Sequence, residues 1–237
     1  MTSIDPKHLQ RRSQLYRWHQ RHNAVFVERS DAAFVDHYAN QEDEVASLQR
    51  LGICDLSLLP RYGISGAGST TWLRANNYEL PQSPNTSLLQ TDGGLLARLS
   101  DQEFLNLDLA ALCPAENGTD VSRWEGDPAA SAYPLPRADS HCLFSVSGEH
   151  AASLFAKICG VDLRPEKHAN GCVAQTSVAR VNAIVIRQDL HATLNFYVLT
   201  ATSAAEYLWE CLVDAVHEFD GQPVGISALQ TIEKTRS

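Results

Sequence analysis

The sequence predicts an α+β protein made of two similar small αβ subdomains, each a unit of strand, helix and strands. Three observations predict it. Two stretches carry matching motifs in the same order, a connector-like segment lies between them, and the second stretch reads as β-α-β-β-α. That order suits an antiparallel or mixed sheet with helices on one side.

The first copy runs Tyr62-Gly63-Ile64-Ser65-Gly66, and the second Phe144-Ser145-Val146-Ser147-Gly148. Each is followed, six and seven residues after its glycine, by a bulky apolar pair: Trp72-Leu73 and Leu154-Phe155. Gln90-Thr91 and Gln175-Thr176 then match, as do Ala97-Arg98-Leu99 and Ala179-Arg180-Val181. Two copies in common order point to a duplicated unit, not a solenoid.

In the second copy Leu143 to Val146 reads as a strand. Ser147 is placed as the cap of a helix whose apolar face is Ala151, Leu154, Phe155 and Ile158, and Gly160 stops that helix. Val178 to Arg187 is β-branched and reads as one buried strand, with Thr193 to Leu199 beside it. Ser203-Ala204-Ala205-Glu206 has the form of a capping box. It opens a helix carrying Leu208, Leu212, Ala215, Val216 and Phe219 on one face, ended by Gly221. Upstream, Asn40 to Leu51 reads as a helix: Val45, Leu48 and Leu51 recur at three-residue spacing, and Glu42, Asp43 and Glu44 suit its N-terminal dipole. Ile53 to Ser57 reads as a short strand. Cys113 to Asp139, rich in Pro, Gly, Ala and Asp, has linker chemistry. The expected division is 1–112, 113–139 as linker or surface loop, and 140–237.

The chain has 237 residues, 44% hydrophobic and 20% charged, with a net charge of −9. Composition of this kind folds. The acidic balance argues against nucleic acid, whose phosphates need clustered Lys and Arg, and against an anionic membrane surface. The one basic cluster, Arg11, Arg12, Arg17 and Arg21, reads as a solvated helix face. The longest purely aliphatic run, Ala183 to Ile186, is far short of the ~20 residues of a membrane span. The first ten residues lack the apolar region of a secretory signal, so a cytoplasmic location is expected. Cys54, Cys113, Cys142, Cys159, Cys172 and Cys211 stand singly in apolar surroundings, with no C-x-x-C pair, and read as free thiols.

Several motifs invite a chemical reading and resist it. Gly66-Ala67-Gly68-Ser69-Thr70-Thr71 sits between a strand and a helix, where amides could cradle a phosphate. It lacks the third glycine of a dinucleotide fingerprint and the Lys of a phosphate loop. The matching turn of the second copy carries an acid, Glu149. A tight turn and helix cap is the expectation. His19 and His22 have a spacing that zinc ligands use, but nothing completes a set, so surface histidines are expected. His141 and Cys142 are adjacent on a strand and so face opposite ways, unlike a nucleophile and its base. Asp92-Gly93-Gly94 reads as a hairpin turn. Trp72, Trp124, Tyr207 and Trp209 read as core aromatics. No catalytic, cofactor-binding or metal-binding residue is therefore assigned.

Taken in order, Leu51 to Ser57, Arg61 to Gly66, Trp72-Leu73, Asp92-Gly93-Gly94, Glu103-Phe104-Leu105, Phe144 to Gly148, Gly171 to Thr176 and Leu208-Trp209 resemble the gamma subunit of heterotetrameric sarcosine oxidase. The resemblance covers roughly residues 15 to 220. The wider relatives are the glycine-cleavage T-protein and other folate-binding proteins of that fold, whose pattern His19, Ala24 and Glu44 also suit. The resemblance implies a gamma-type chain of a flavoenzyme that oxidatively demethylates sarcosine or a related N-methyl amino acid or amine. Tetrahydrofolate would accept the one-carbon unit. Its alpha, beta and delta subunits would hold FAD, FMN, NAD, zinc and the folate. One departure bears on catalysis. In the T-protein pattern a Gly-Gly pair and two apolar residues lead into an acidic pair that works on the folate amine. Here Gly93-Gly94-Leu95-Leu96 leads into Ala97-Arg98, and neither side chain can steer a proton at that nitrogen. A chain without chemistry acts through contact surface. The candidate anchors are Tyr16, Trp18, Arg61, Tyr62, Trp124 and Tyr133, aromatic and Arg residues of the kinds found at energetic hot spots.

Overall fold

A computed structural model describes residues 4–112, 124 and 131–234. In chain order the elements are β1 (Arg11–Arg12), α1 (Tyr16–Arg21), β2 (Val25–Arg29), β3 (Ala32–His37), α2 (Gln41–Leu51), β4 (Gly52–Asp55), β5 (Arg61–Ser65) and α3 (Ser69–Ala75). There follow β6 (Thr86–Leu89), β7 (Leu95–Arg98), β8 (Glu103–Leu107), β9 (Tyr133–Pro136), β10 (His141–Ser147) and α4 (Ala151–Ile158). The last are β11 (Val173–Val178), β12 (Val181–Arg187), β13 (Asn195–Ala201), α5 (Ala205–His217), β14 (Gln222–Pro223) and α6 (Ile226–Lys234).

The duplication is a duplication of topology. One sheet has the order β6-β7-β8-β5-β9 and the other β11-β12-β13-β10-β4-β14. In each, a strand leads through a helix to a hairpin, whose second strand pairs with a third that returns beside the first. The two starting strands end alike, on Gly66 (φ 107°) and Gly148 (φ 119°). A side chain at either would strike backbone: a Cβ would lie 2.3 Å from the Ser131 carbonyl oxygen and 2.4 Å from that of Arg50, respectively.

The sheets stack face to face over an apolar layer. Leu95, Ala97, Leu105 and Leu107 of one meet Leu143, Ile186, Tyr197 and Leu199 of the other in one cluster. Strand alternation sends the intervening residues outward. On the second sheet, Cys142, Phe144, Val146, Val185 and Val198 pack under α4 and α5. On the first, Ile64, Leu96 and Phe104 pack under Trp72 and Leu73 of α3. The sheets are joined at one corner: Ser87 N–H donates to the Gly171 carbonyl (2.7 Å), and Val173 N–H to that of Asn85 (2.9 Å). A small third sheet, β1-β3-β2, stands alongside, and α6 packs against α2 and β3.

The expected helices form, and two of the expected caps do not. Asn40 caps α2 through its side chain, which accepts from Asp43 N–H at 3.0 Å. Ser147 instead ends β10 and donates to Asn195 Oδ1 at 2.6 Å. The amides of Glu149 and His150 ahead of α4 are satisfied by the carbonyls of Gln49 and Arg50. The capping box at Ser203 is also absent: a 3-10 turn, Thr202–Ala204, feeds α5 without a side-chain cap. The stretch from Val178 to Arg187 is not one strand. Ala179 (φ 47°) and Arg180 (φ 69°) form a two-residue hairpin between β11 and β12. They take the left-handed geometry that hairpins of this length need, without the usual Asn or Gly. The matched tripeptides therefore fall at different places, since Ala97-Arg98 lies within β7 and Ala179-Arg180 at a turn.

The chain division does not follow the sheets. β4, from the expected first subdomain, pairs with β10 in the second sheet. β9, from the expected connector, is the edge strand of the first sheet and pairs with β5. A four-residue apolar strand such as β4 signals burial but not which sheet receives it.

Candidate functional site

The glycine-rich turn after β5 is tied back to its own chain. Gly68 N–H donates to the Ser131 carbonyl at 2.9 Å and Ser69 N–H to that of Gly66 at 3.0 Å. Both of these amides are thus bonded within the chain. At Gln90 to Gly94 the expected turn is present: Gly93 has φ 83°, and Gly94 N–H donates to Asp92 Oδ1 at 2.9 Å.

The expectation of surface histidines holds for His22 and fails for His19. His22 is exposed and stacks on Trp18, with ring centroids 3.7 Å apart. His19 is wholly buried, and both its nitrogens are engaged. Nε2 meets Asp55 Oδ2 at 2.9 Å, and Nδ1 meets the Tyr38 hydroxyl at 2.6 Å. Ser13 donates to the same Asp55 oxygen, and Ser57 N–H to its other oxygen at 2.9 Å. Burial alone would raise the Asp55 carboxyl, but the hydrogen bonds and charge of His19, with help from Ser13 and Ser57, hold it below the ordinary carboxylate range. Burial pushes the Tyr38 hydroxyl and the neighbouring Cys54 thiol well above their usual values. The network fixes α1 to β4 and to the segment after β3. The signal for it was in the sequence: a lone acid in an apolar strand must find a partner.

A second buried carboxylate works the same way. Glu44 of α2 accepts from the amides of Tyr38 (2.5 Å), Ala39 (3.0 Å) and Gly225 (2.9 Å). His141 and Cys142 face opposite ways, as expected. Cys142 is buried and its thiol is pushed up to about 12, principally by burial.

Ala97, where the resembled T-protein pattern has an acid, is fully buried in the apolar layer between the sheets. Arg98 points to the opposite face, over the Phe104 ring, and is bound by the Pro81, Gln82 and Ser100 carbonyls and by Asp101. Between the sheets, near the Gly93 turn, a cleft of about 290 Å³ remains, with Leu109, Leu190, Tyr197, His191, Asp189 and Glu233 on its walls. Asp189 is held by Arg187 at 2.7 Å. Among the described residues no three His, Cys, Asp or Glu side chains converge on a metal position, and no helix is long and apolar enough to cross a membrane.

Three of the six candidate anchors serve this chain's own packing. Trp18 is buried against Trp209 and His19. Arg61 is buried and donates to four carbonyls, those of Ser57 (3.0 Å), Leu59, Ala138 and His141 (each 2.7 Å). Trp124 stacks on Tyr62 with centroids 5.5 Å apart, tilts against Trp72, and donates to the Tyr78 hydroxyl at 2.7 Å. Tyr62 is half-buried beneath it. Tyr16 is half-buried, and Tyr133 is 63% exposed.

The family described as the GCVT N-terminal domain matches residues 15–235. The chain is 22% identical over 210 residues to an aminomethyltransferase of Chloroherpeton thalassium; the match covers 85% of this chain and 56% of that protein. The chain thus spans little more than half the length of this curated relative. The fold is shared with glycine cleavage system aminomethyltransferase T from Bartonella henselae (TM-score 0.69, 16% identity, 94% of this chain and 62% of that one). It is shared also with a chain of heterotetrameric sarcosine oxidase from Corynebacterium sp. U-96 (TM-score 0.60, 18% identity, 76% of this chain and 92% of that one).

Proposed function

This chain belongs to the GCVT N-terminal domain family, and from that premise we propose that it is a non-catalytic, gamma-type subunit of a multi-subunit flavoenzyme. The enzyme would oxidatively demethylate sarcosine or a related N-methyl amino acid or amine, with tetrahydrofolate taking the one-carbon unit. Flavins, nicotinamide, zinc and folate would be held by the alpha, beta and delta chains.

The observation that carries this reading is Ala97. Proton transfer at a folate amine needs a carboxylate within hydrogen-bond reach. A methyl group stands at that position, sealed among Leu95, Leu105 and Leu107, and Arg98 next to it is committed to the far face of the sheet. The likeness to a sarcosine oxidase chain over 92% of that chain's length adds support.

A second reading, a stand-alone folate-binding or aminomethyltransferase-like protein, is favoured by the cleft between the sheets and its two carboxylates, Asp189 and Glu233. Purification of the tagged chain from its source cells, with mass spectrometry of what accompanies it and an absorbance scan for flavin, separates the two. The subunit reading expects stoichiometric flavin-containing chains and no tetrahydrofolate-dependent turnover of an aminomethyl donor by this chain alone. Turnover above a buffer control would overturn it in favour of the second reading.

A further inference from the structure

The first 22 residues contain five Lys or Arg (Lys7, Arg11, Arg12, Arg17 and Arg21) against one acid, Asp5, in a chain whose total charge is −9. The fold gathers these cations on and around α1, and all five are exposed. Five arginines elsewhere meet carboxylates: Arg50 with Asp220, Arg98 with Asp101, Arg137 with Glu103, Arg164 with Asp162 and Arg187 with Asp189. Among the described residues none of the five N-terminal cations lies within ion-pair distance of a carboxylate. Arg12 and Arg17 instead hold their guanidinium groups 5.0 and 5.5 Å from the centre of the Tyr16 ring, and Arg17 donates to the Tyr16 hydroxyl at 2.9 Å. Arg17 and Tyr16, with Lys7 and Arg21, border an open hollow of about 730 Å³ whose wall also carries one acid, Glu206.

Like charges placed together repel, so this arrangement lowers the stability of the free chain. Stacking on an aromatic ring pre-orders a guanidinium and reduces the entropy lost when it binds a carboxylate in two-point fashion. Arg and Tyr are also the side chains most often found to dominate binding energy. The rest of the chain decides what kind of anion fits. It is strongly acidic, so an extended polyanion such as nucleic acid or a lipid surface would be repelled beyond the patch. A compact acidic face of a folded protein would not.

We infer that the α1 face, Arg12, Arg17 and Arg21 with Tyr16, is the docking surface for a partner protein chain that presents clustered carboxylates. This rests on the subunit reading above. It also gives Tyr16 a place in the contact while leaving Trp18 to the core.

The test uses the full tagged chain expressed in its source cells, as the unaltered protein and as the triple variant R12Q/R17Q/R21Q. The expected result is that the unaltered chain retains flavin-containing chains in low salt and sheds them as salt rises. The variant should melt no lower than the unaltered chain, yet bind those chains at least about tenfold more weakly. Equal retention of the partners by the variant, with the same salt dependence, would overturn the assignment. So would a unaltered chain that self-associates through this face, shown by a dimer in sedimentation that becomes a monomer in the variant. Then the occupant is a second copy. If the unaltered chain brings down no flavin-containing chain at any salt, the subunit reading itself fails and the inference falls with it.

Discussion

The two sheets share a topology and differ in how their outer faces are covered. The second is roofed by α4 and α5, whose Leu154, Phe155, Leu208, Trp209, Leu212 and Val216 are all buried. The first has only the seven-residue α3, and completes its cover with rings: Trp72, Tyr78 and Trp124. One half is closed by periodic helices, legible residue by residue. The other is closed by aromatic contacts distant in sequence. Helical cover stands on many medium-sized contacts, whereas ring cover concentrates the same work in a few large side chains. Loss of any one of those should therefore be felt locally and strongly.

The largest effect is expected where the halves are tied together. Arg61 starts β5 in the first sheet, yet its guanidinium binds carbonyls at both ends of the loop from β4 and at the entry to β10. Burial lowers its pKa to about 10, so it remains a cation at neutral pH. Arg61→Leu leaves four carbonyls without that donor and should cost about 3–5 kcal/mol. Amide hydrogen exchange should then rise in both sheets together. A rise confined to one sheet would show that Arg61 belongs to that half alone.

Trp124→Ala should cost about 2–3 kcal/mol, somewhat below the range for a fully buried Trp because this one is half-buried. Here the comparison sharpens: β5, β7 and β8 should lose exchange protection while β10, β12 and β13 keep it. Equal loss across the molecule would mean that the halves fold as one cooperative unit.

A smaller change is expected from acid. The folded Asp55 carboxyl is held below its unfolded value, which is about 3.9. The stability it contributes is therefore fully present above that value and is lost as pH falls through the folded one. A denaturant midpoint followed downward from pH 5 should drop below about pH 4, and Asp55→Asn should flatten that part of the curve. An unchanged slope in the variant would place the acid sensitivity elsewhere. The smallest effect belongs to Tyr133→Ala. Its ring is 63% exposed, and the melt should stay within about 0.5 kcal/mol of the unaltered chain.

Much of this architecture was legible. The apolar spacing of α2, α4 and α5 and the Asp92-Gly93-Gly94 turn follow from local chemistry, and the structure has them where the residues put them. The misses share a cause. Ser147 and Ser203 have the right type for caps, but Ser147 is taken by Asn195, and a preceding 3-10 turn makes the cap at Ser203 unnecessary. Ala179-Arg180 forms a left-handed turn without the residues that advertise one, because the pairing of β11 with β12 on either side enforces it. Asp55 signalled a buried partner, but nothing local said that the partner is His19. Each depends on contacts far apart in the chain, which single-stretch reasoning does not reach. At the candidate site, Ala97 in place of an acid was readable only through the resemblance to the T-protein pattern, whereas the cleft beside it needed two sheets to exist.

β9 deserves one more consequence. It is the last strand of the first sheet, and two of its four residues, Pro134 and Pro136, have no amide hydrogen. Alternate residues turn their amides to the same edge, and proline sits in edge strands with its donorless nitrogen facing outward, so an incoming strand would find no amide hydrogen at either position. A chain made in excess, or waiting for company, would thus meet copies of itself at a border that does not template further growth. Misassembly into stacked sheets is discouraged at this edge by ring chemistry alone, without any charged residue being placed there for the purpose.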